Sequence, residues 1–563
     1  MIDADADDRQ ERALSRPAAP AGTPPESTGA SRPASTPAAF AGRIALLLPP
    51  TGARTRAAIA SALRNRWAPR VVLYLLVIFS IASKSIDLNQ PCSSPCTAHS
   101  THTLIFDESY YVNAARVIDG IEPPAGAPYH GDPKGDDPNA EHPQLATLII
   151  AGDIKLFGDN PFAWRIGSIV FAVIALLALY ALVIGAGGSS WLAAGTVAVM
   201  CLDNLALVHG RIATLDIYAV AMMLLAGALY VRERPLLAGL ALGIAACMKE
   251  VALFLLFVFI LLEALRIARG WRARRHPAAA GAALPASAAG APGGGGPPPG
   301  AADPPPAAAV AVPPSLAATA IPPAPPASAG HARDEIHYGG MRRHSAMLAI
   351  ARERLPRLAI FLLASAVATL GLLWLLDVLV PAYDPGTHTL YNGNPFAHLA
   401  HMYEYAQLLK AKPNEVGITS SPLAWLLDEK AINYARVAVN TSVAGKIVST
   451  RALVSFQGEI NPFIIFLAIP ALFAAGAAAW RTEDGVAALG ACWCLGTYLP
   501  FLFGDLSSGR VAYIYYMLLV MPGVYILTTR LFASKRLPTA AAVGWGIALV
   551  YGFVHLYPIR TLL

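Results

Sequence analysis

The stretch FAWRIGSIVFAVIALLALYALVIGA, residues 162 to 186, carries a single charge, Arg165, near its start. An α-helix of about 20 apolar residues crosses the ~30 Å hydrocarbon core of a bilayer, because its backbone polar groups are all paired within the helix. The stretch therefore predicts a membrane span. Similar charge-poor runs recur at Val71 to Ser83, Trp191 to Val208, Leu358 to Leu379 and Ala540 to Tyr557. Of the 563 residues 55% are hydrophobic and 14% charged, against about 25% charged in soluble domains. A water-soluble fold could not hide so much apolar surface, and the expected class is an all-α polytopic membrane protein. The formal charge of +6 is no nucleic-acid signal, since Lys and Arg sit at the ends of apolar runs rather than on one basic face.

Lys and Arg favour cytoplasmic loops, and Arg266, Arg269, Arg272, Arg274 and Arg275 mark one such loop. Threading the runs alternately from there gives roughly 11 spans. They fall at 68 to 86, 162 to 186, 191 to 209, 215 to 231, 235 to 248, 250 to 268, 358 to 380, 460 to 480, 485 to 503, 511 to 529 and 539 to 557. The chain then divides into a cytoplasmic tail (1–67), an N-terminal transmembrane module (68–276), an Ala/Pro/Gly-rich cytoplasmic linker (277–330) and a C-terminal transmembrane module (331–563). The tail and linker compositions cannot build a core. Arg54, Arg56, Arg64, Arg66 and Arg70 fit either a helix on the anionic cytoplasmic surface or a disordered basic tail. The N-terminus lacks a cleavable signal pattern, so the first span is read as an uncleaved anchor in the plasma membrane. Cys92 and Cys96 are close enough in sequence to pair in an oxidising compartment; Cys201, Cys247, Cys492 and Cys494 lie in apolar runs, as small hydrophobes.

Two outer loops, 87–161 and 381–459, are far longer than neighbouring helices require, which places function at that face. The first is acidic, with helix-like stretches at about 107 to 120 and 143 to 157. It opens with Phe106-Asp107-Glu108-Ser109-Tyr110-Tyr111. Two carboxylates just beyond a first span offer a general base for a hydroxyl, although adjacent acids are also ordinary solvated loop charges.

Further motifs follow in order: His142-Pro143-Gln144-Leu145, Gly158-Asp159-Asn160-Pro161-Phe162-Ala163-Trp164-Arg165, Leu202-Asp203-Asn204, and Arg211-Ile212-Ala213-Thr214-Leu215-Asp216. Then come Gly239 to Lys249, His401-Met402-Tyr403-Glu404-Tyr405, Ser420-Ser421-Pro422-Leu423-Ala424-Trp425, Asn461-Pro462 and Arg510-x-x-Tyr513-x-Tyr515-Tyr516. In this order they resemble the dolichyl- or polyprenyl-phosphate-mannose protein O-mannosyltransferases, from about residue 70 to 530 apart from the linker. The chain departs from the family in having Gln144 for Pro, Leu423 for Trp and Tyr516 for His, and in lacking a domain-sized insert in the second loop.

The resemblance implies the C-type glycosyltransferase fold, with a site at the outer face beneath the large loops. It implies Asp107 as general base and Glu108 as its assistant, in a single inverting displacement from a polyprenyl-phosphate sugar to Ser or Thr of an exported protein. Fixed guanidinium groups suit a phosphate leaving group, so Arg165, Arg211 and Arg510 with Lys249 are the candidate donor ligands. Their alternative is snorkelling or pairing with an acid. His142 suits donor binding or a helix cap. Asp216 is expected to pair with Arg211, and Tyr513 to shape the donor pocket. His401 and Trp425 are expected in the acceptor region or its loop. No nucleotide motif is present and no His/Cys/carboxylate spacing argues for a tightly held metal, although a divalent cation stays open. The nearest alternative keeps the fold and moves aminoarabinose, arabinose or another sugar to a glycolipid or cell-wall glycan. A transporter would instead need repeated halves and broken midplane helices, and no internal repeat is seen.

Overall fold

A computed structural model describes residues 65–92, 102–275, 334–410, 418–429, 431–443, 445–534 and 537–562. The expected tail up to residue 64, the linker 277–330 and Cys96 lie outside the described residues. Cys92 is disulfide-bonded, and the cysteines of the apolar runs are free and buried.

The chain enters as α1 (Ala68–Ser85). The acidic loop folds into two helices, α2 (Glu108–Ile118) and α3 (Leu145–Phe157), where the helix-like stretches are expected. One motif explains how the chain then turns into α4 (Pro161–Gly185). Gly158 ends α3 at φ +84°, a conformation costly for residues with a Cβ. Asp159 accepts from Arg116 Nε at 2.9 Å and from Trp164 Nε1 at 2.6 Å. The Asn160 side chain caps the amides of Phe162 and Ala163, and Pro161 occupies the first turn, where a missing N–H costs nothing. This motif is therefore a corner brace.

The remaining helices are α5 (Ser190–Cys201), α6 (Asn204–His209), α7 (Asp216–Val231), α8 (Pro235–Met248), α9 (Leu255–Arg275) and α10 (Asp334–Leu379). The second loop holds α11 (Pro395–Leu408) and α12 (Pro422–Trp425), and after it come α13 (Pro462–Ile465), α14 (Ala468–Thr482), α15 (Gly485–Ser508), α16 (Met517–Phe532) and α17 (Thr539–Leu556).

Among the described residues eight helical stretches are long and apolar enough to cross a membrane. Three further expected spans, α5, α7 and α8, are apolar but have only 12, 16 and 14 residues. At 1.5 Å per residue they cover roughly 18 to 24 Å, less than the ~30 Å hydrocarbon core. The expected span 191–209 is broken at Leu202-Asp203. There the Asp203 carboxylate accepts from the Asn461 amide at 2.9 Å and from the Tyr525 hydroxyl at 2.6 Å. Asn461 in turn donates to the carbonyls of Leu202 and Leu549. The Asp203-Asn204 and Asn461-Pro462 motifs are thus two halves of one junction.

The second loop departs from the all-α expectation. A short hairpin pairs β1 (Ala382–Asp384) with β2 (Thr389–Tyr391), and a long one pairs β3 (Ile432–Val443) with β4 (Lys446–Gly458). Both are antiparallel. The root of the long hairpin is buried while its far half is exposed, and Asn204 ties its end to the helices through the carbonyls of Gln457 and Glu459.

The two expected transmembrane modules pack directly, α8 against α10. A Cβ at Gly239 would lie 2.5 Å from Ala364 Cβ, and one at Gly243 would lie 2.3 Å from Ala368 Cβ. This is the small-residue spacing by which helices approach closely in a bilayer. Gly243→Leu is expected to destabilise the protein by about 1–3 kcal/mol or more through overpacking. Gly476→Leu, at a glycine with no atom within 4 Å, is the control. Thermal unfolding of both in detergent checks the difference, and equal melting temperatures would refute the close crossing.

Candidate active site

The adjacent acids at the start of α2 have opposite surroundings. Glu108 is 0% exposed. Its Oε1 accepts from Arg165 Nε at 2.8 Å and the Ala213 amide at 2.9 Å; its Oε2 accepts from Arg165 Nη2 at 2.8 Å and the Ile105 amide at 2.7 Å. Arg165 Nη1 donates to the carbonyls of Leu88 and Gln90. A bidentate pair with every carboxylate lone-pair direction occupied has no capacity left for a substrate proton. The pair joins the end of α1, the start of α2, the first turn of α4 and the turn before α7.

Asp107, one residue earlier, is half-buried, and among the described residues its carboxylate makes no hydrogen bond. Phe106 before it holds φ +52°, a strained setting, and its ring stacks on Tyr434 at 4.2 Å. Burial raises the Asp107 pKa to about 6; Lys249 and His142 oppose this and Asp216 adds to it. Those charges reach Asp107 from three separate elements.

Lys249 occupies the extended residue where α8 ends and a 3₁₀ turn, Glu250–Phe254, begins. Its ammonium donates to Asp216 Oδ1 at 2.7 Å and lies 5.2 Å and 5.4 Å from the ring centres of Tyr515 and Tyr516. Asp216 opens α7 and also faces His209 Nδ1 at 3.8 Å. His209 Nε2 is 2.9 Å from the Tyr434 hydroxyl. His142 Nδ1 lies 3.0 Å from Glu250 Oε2. Burial acts to lower the His142 pKa, but the adjacent Glu250 carboxylate outweighs it and the net direction is upward. Tyr513 is an electrostatic neighbour of both Asp107 and Arg510, and the Arg510 Nε is buried with no hydrogen-bond partner.

The structure thus brings together Asp107, His142, Asp216, Lys249, Arg510 and Tyr513. It places others elsewhere. Asp216 pairs with Lys249, not with Arg211 as expected, because Arg211 turns toward the carbonyls of Ile86 and Asp87 at 2.9 and 3.1 Å beneath Phe456. Arg165 is held in a bidentate pair with Glu108 and by the carbonyls of Leu88 and Gln90. His401 faces Asp384 at 3.9 Å and the Tyr391 ring at 5.1 Å, holding the short hairpin. Trp425 is 0% exposed and donates to Ser420 Oγ at 2.8 Å, so it packs within the second loop. Among the described residues no group of three His, Cys, Asp or Glu side chains is placed to hold a metal ion.

Tyr434 and Glu250 went unread in the sequence. Glu250 carried a signal, a second charge beside Lys249 in an apolar run. Tyr434 was marked only by the alternation of the strand that presents it.

Residues 108–274 match the model of the dolichyl-phosphate-mannose-protein mannosyltransferase family. This segment holds Glu108, His142, Asp216 and Lys249. Over 87% of this chain and 90% of the other, the fold is that of the S. cerevisiae protein O-mannosyltransferase Pmt1-Pmt2 complex bound to the sugar donor, at 10% identity and a TM-score of 0.53. The chain is a membrane glycosyltransferase of the C-type fold. An apo oligosaccharyltransferase from Archaeoglobus fulgidus overlaps 88% of the transferase and 56% of its own chain, at 11% identity and a TM-score of 0.42. No curated protein sequence matches the transferase. The motif resemblance and the matched family name the same enzymes. In the transferase the Gly-Asp-Asn-Pro and Ser-Pro-x-x-Trp elements brace corners, whereas the acid, lysine and tyrosine elements meet around Asp107.

Proposed function

We propose that the transferase moves mannose from a polyprenyl-phosphate donor to Ser or Thr hydroxyls of exported proteins, at the extracytoplasmic face and with inversion. The observation that carries this reading is the contrast within one dipeptide: Glu108 is saturated by Arg165 and two backbone amides, while the Asp107 carboxylate makes no hydrogen bond among the described residues. A pKa near 6 leaves Asp107 mostly ionised at neutral pH yet basic enough to take a proton from an attacking hydroxyl. Lys249, Arg510 and protonated His142 supply cationic groups for the phosphate as the sugar bond breaks. Asp216 fixes Lys249, and the rings of Tyr515 and Tyr516 flank its ammonium on one side. The acceptor oxygen attacks the anomeric carbon while polyprenyl phosphate leaves from the opposite side, so a β-linked donor yields an α-mannoside. Glu108 and Arg165 act here as positioning residues that hold Asp107 at the turn.

Purified membranes supplied with polyprenyl-phosphate mannose and a Ser/Thr-rich peptide test this directly, with the anomer of any product read by NMR. An α-mannosyl peptide supports the reading. Product formed only from another lipid-linked sugar, or only on a glycolipid, would replace the donor or acceptor. The pH profile is a second test. With Asp107 as base, kcat/KM rises as pH increases through about 6, then declines above the ordinary histidine range as His142 loses its proton. A flat profile between pH 5 and 8 would remove Asp107 from this role.

A further inference from the structure

At the ends of α7 and α8 remote from Asp216 and Lys249 lies a cleft lined by Tyr230, Val231, Glu233, Pro235, Glu263, Arg266, Arg354 and Arg357. Because α7 runs from Asp216 to Val231, about 24 Å of helix separates the two places. The cleft is therefore at the end of these helices remote from the candidate active site. Arg266 donates to Glu263 at 2.6 Å and Arg357 to Glu233 at 2.5 Å, so these forks are held in place on α9 and α10. Arg354 is half-buried and among the described residues has neither ion pair nor hydrogen bond. Three guanidinium groups, those of Arg266, Arg354 and Arg357, thus face two cleft carboxylates, Glu233 and Glu263, and Arg354 is the one of the three without a partner among the described residues.

We propose that this cleft binds a phosphate-bearing group. Arg354 leaves the cleft one cation in excess of its carboxylates, and phosphate oxygens match guanidinium fork geometry in pairs. The cleft lies at helix ends, at the depth where phosphodiester head groups are concentrated and attract clustered arginines. Four helices converge there, three of which also reach toward the candidate active site, so an occupant would tie α7, α8, α9 and α10 together.

The test uses the purified full chain in neutral detergent micelles, with thermal unfolding followed as phosphatidylglycerol, phosphatidylcholine or inorganic phosphate is titrated in. Saturable stabilisation by phosphatidylglycerol and not by phosphatidylcholine is expected, weakening as salt is raised. Arg354→Gln is expected to raise the half-saturating amount about tenfold, the scale of one charge-assisted hydrogen bond. Arg481→Gln should leave it unchanged: Arg481 is exposed beside Trp480, whose ring stands against Arg272 of the same face. Saturation by inorganic phosphate with the same Arg354 dependence supports the site and assigns it to free phosphate; response to the lipid alone assigns it to a head group. An equal effect of both substitutions, or no saturable response of the wild type to either phosphate source, overturns the proposal. The wild-type titration decides even if Arg354→Gln does not fold.

Discussion

Asp107→Asn is expected to abolish sugar transfer, by about 10²- to 10⁴-fold in kcat, the usual contribution of a positioned general base. The change keeps the size of the side chain and removes its negative charge, and with it the capacity to take a proton. Asp107 makes no side-chain hydrogen bond among the described residues, and its backbone carbonyl, which receives the amides of Tyr110 and Tyr111, is untouched. The variant should therefore fold and melt like the wild type, so a loss of product reports on chemistry. Donor binding is expected to persist, since Lys249, Arg510 and His142 stay in place. Transfer at the wild-type rate by the folded variant would exclude Asp107 as the base.

Arg165→Ala is expected to act in the opposite way, on the fold before the chemistry. It leaves Glu108 ionised and buried without its cation and frees the carbonyls of Leu88 and Gln90, and breaking a buried pair from one side costs about 3–5 kcal/mol. The cost is high because the carboxylate has lost its water and keeps only two backbone amides. Thermal unfolding in detergent should show a large drop, with activity lost alongside folded protein. A double variant, Glu108→Met with Arg165→Met, should melt above either single one, because no unpaired charge remains. A fully stable Arg165→Ala protein that fails only in donor binding would return Arg165 to the role of phosphate ligand.

The membrane class and the helix-rich fold were legible because hydrophobic periodicity and run length act locally: about 20 apolar residues must span a bilayer wherever they stand. The corner at Gly158 to Pro161 was legible as a motif for the same reason, since caps and proline positions are settled within one turn. Its role was not. Asp159 and Asn160 stand in the sequence only as part of a motif that carries the family resemblance, and only the position of Arg116 on α2 shows that they brace a corner. The break at Leu202-Asp203 could not be read either, because the groups that satisfy Asp203 arrive from Asn461 and Tyr525, distant in sequence. The long hairpin was missed for lack of a helix-scale pattern, and Tyr434 with it.

The sequence by itself determined that this chain enters a membrane many times, and it named the dipeptide, the lysine and the tyrosines around which a site would form. Composition and motif order suffice for that, because burial in lipid and local turn chemistry depend on neighbouring residues. The tertiary structure decided which charges stand free and which are consumed. Glu108 and Asp107 are adjacent in the chain and chemically alike, yet Arg165 and the Ala213 amide reach only the first, while burial beside Asp216 and Lys249 sets the second near pH 6. The reason is that a carboxylate's protonation and reach depend on partners within a few ångströms, and those partners come from helices far apart in sequence.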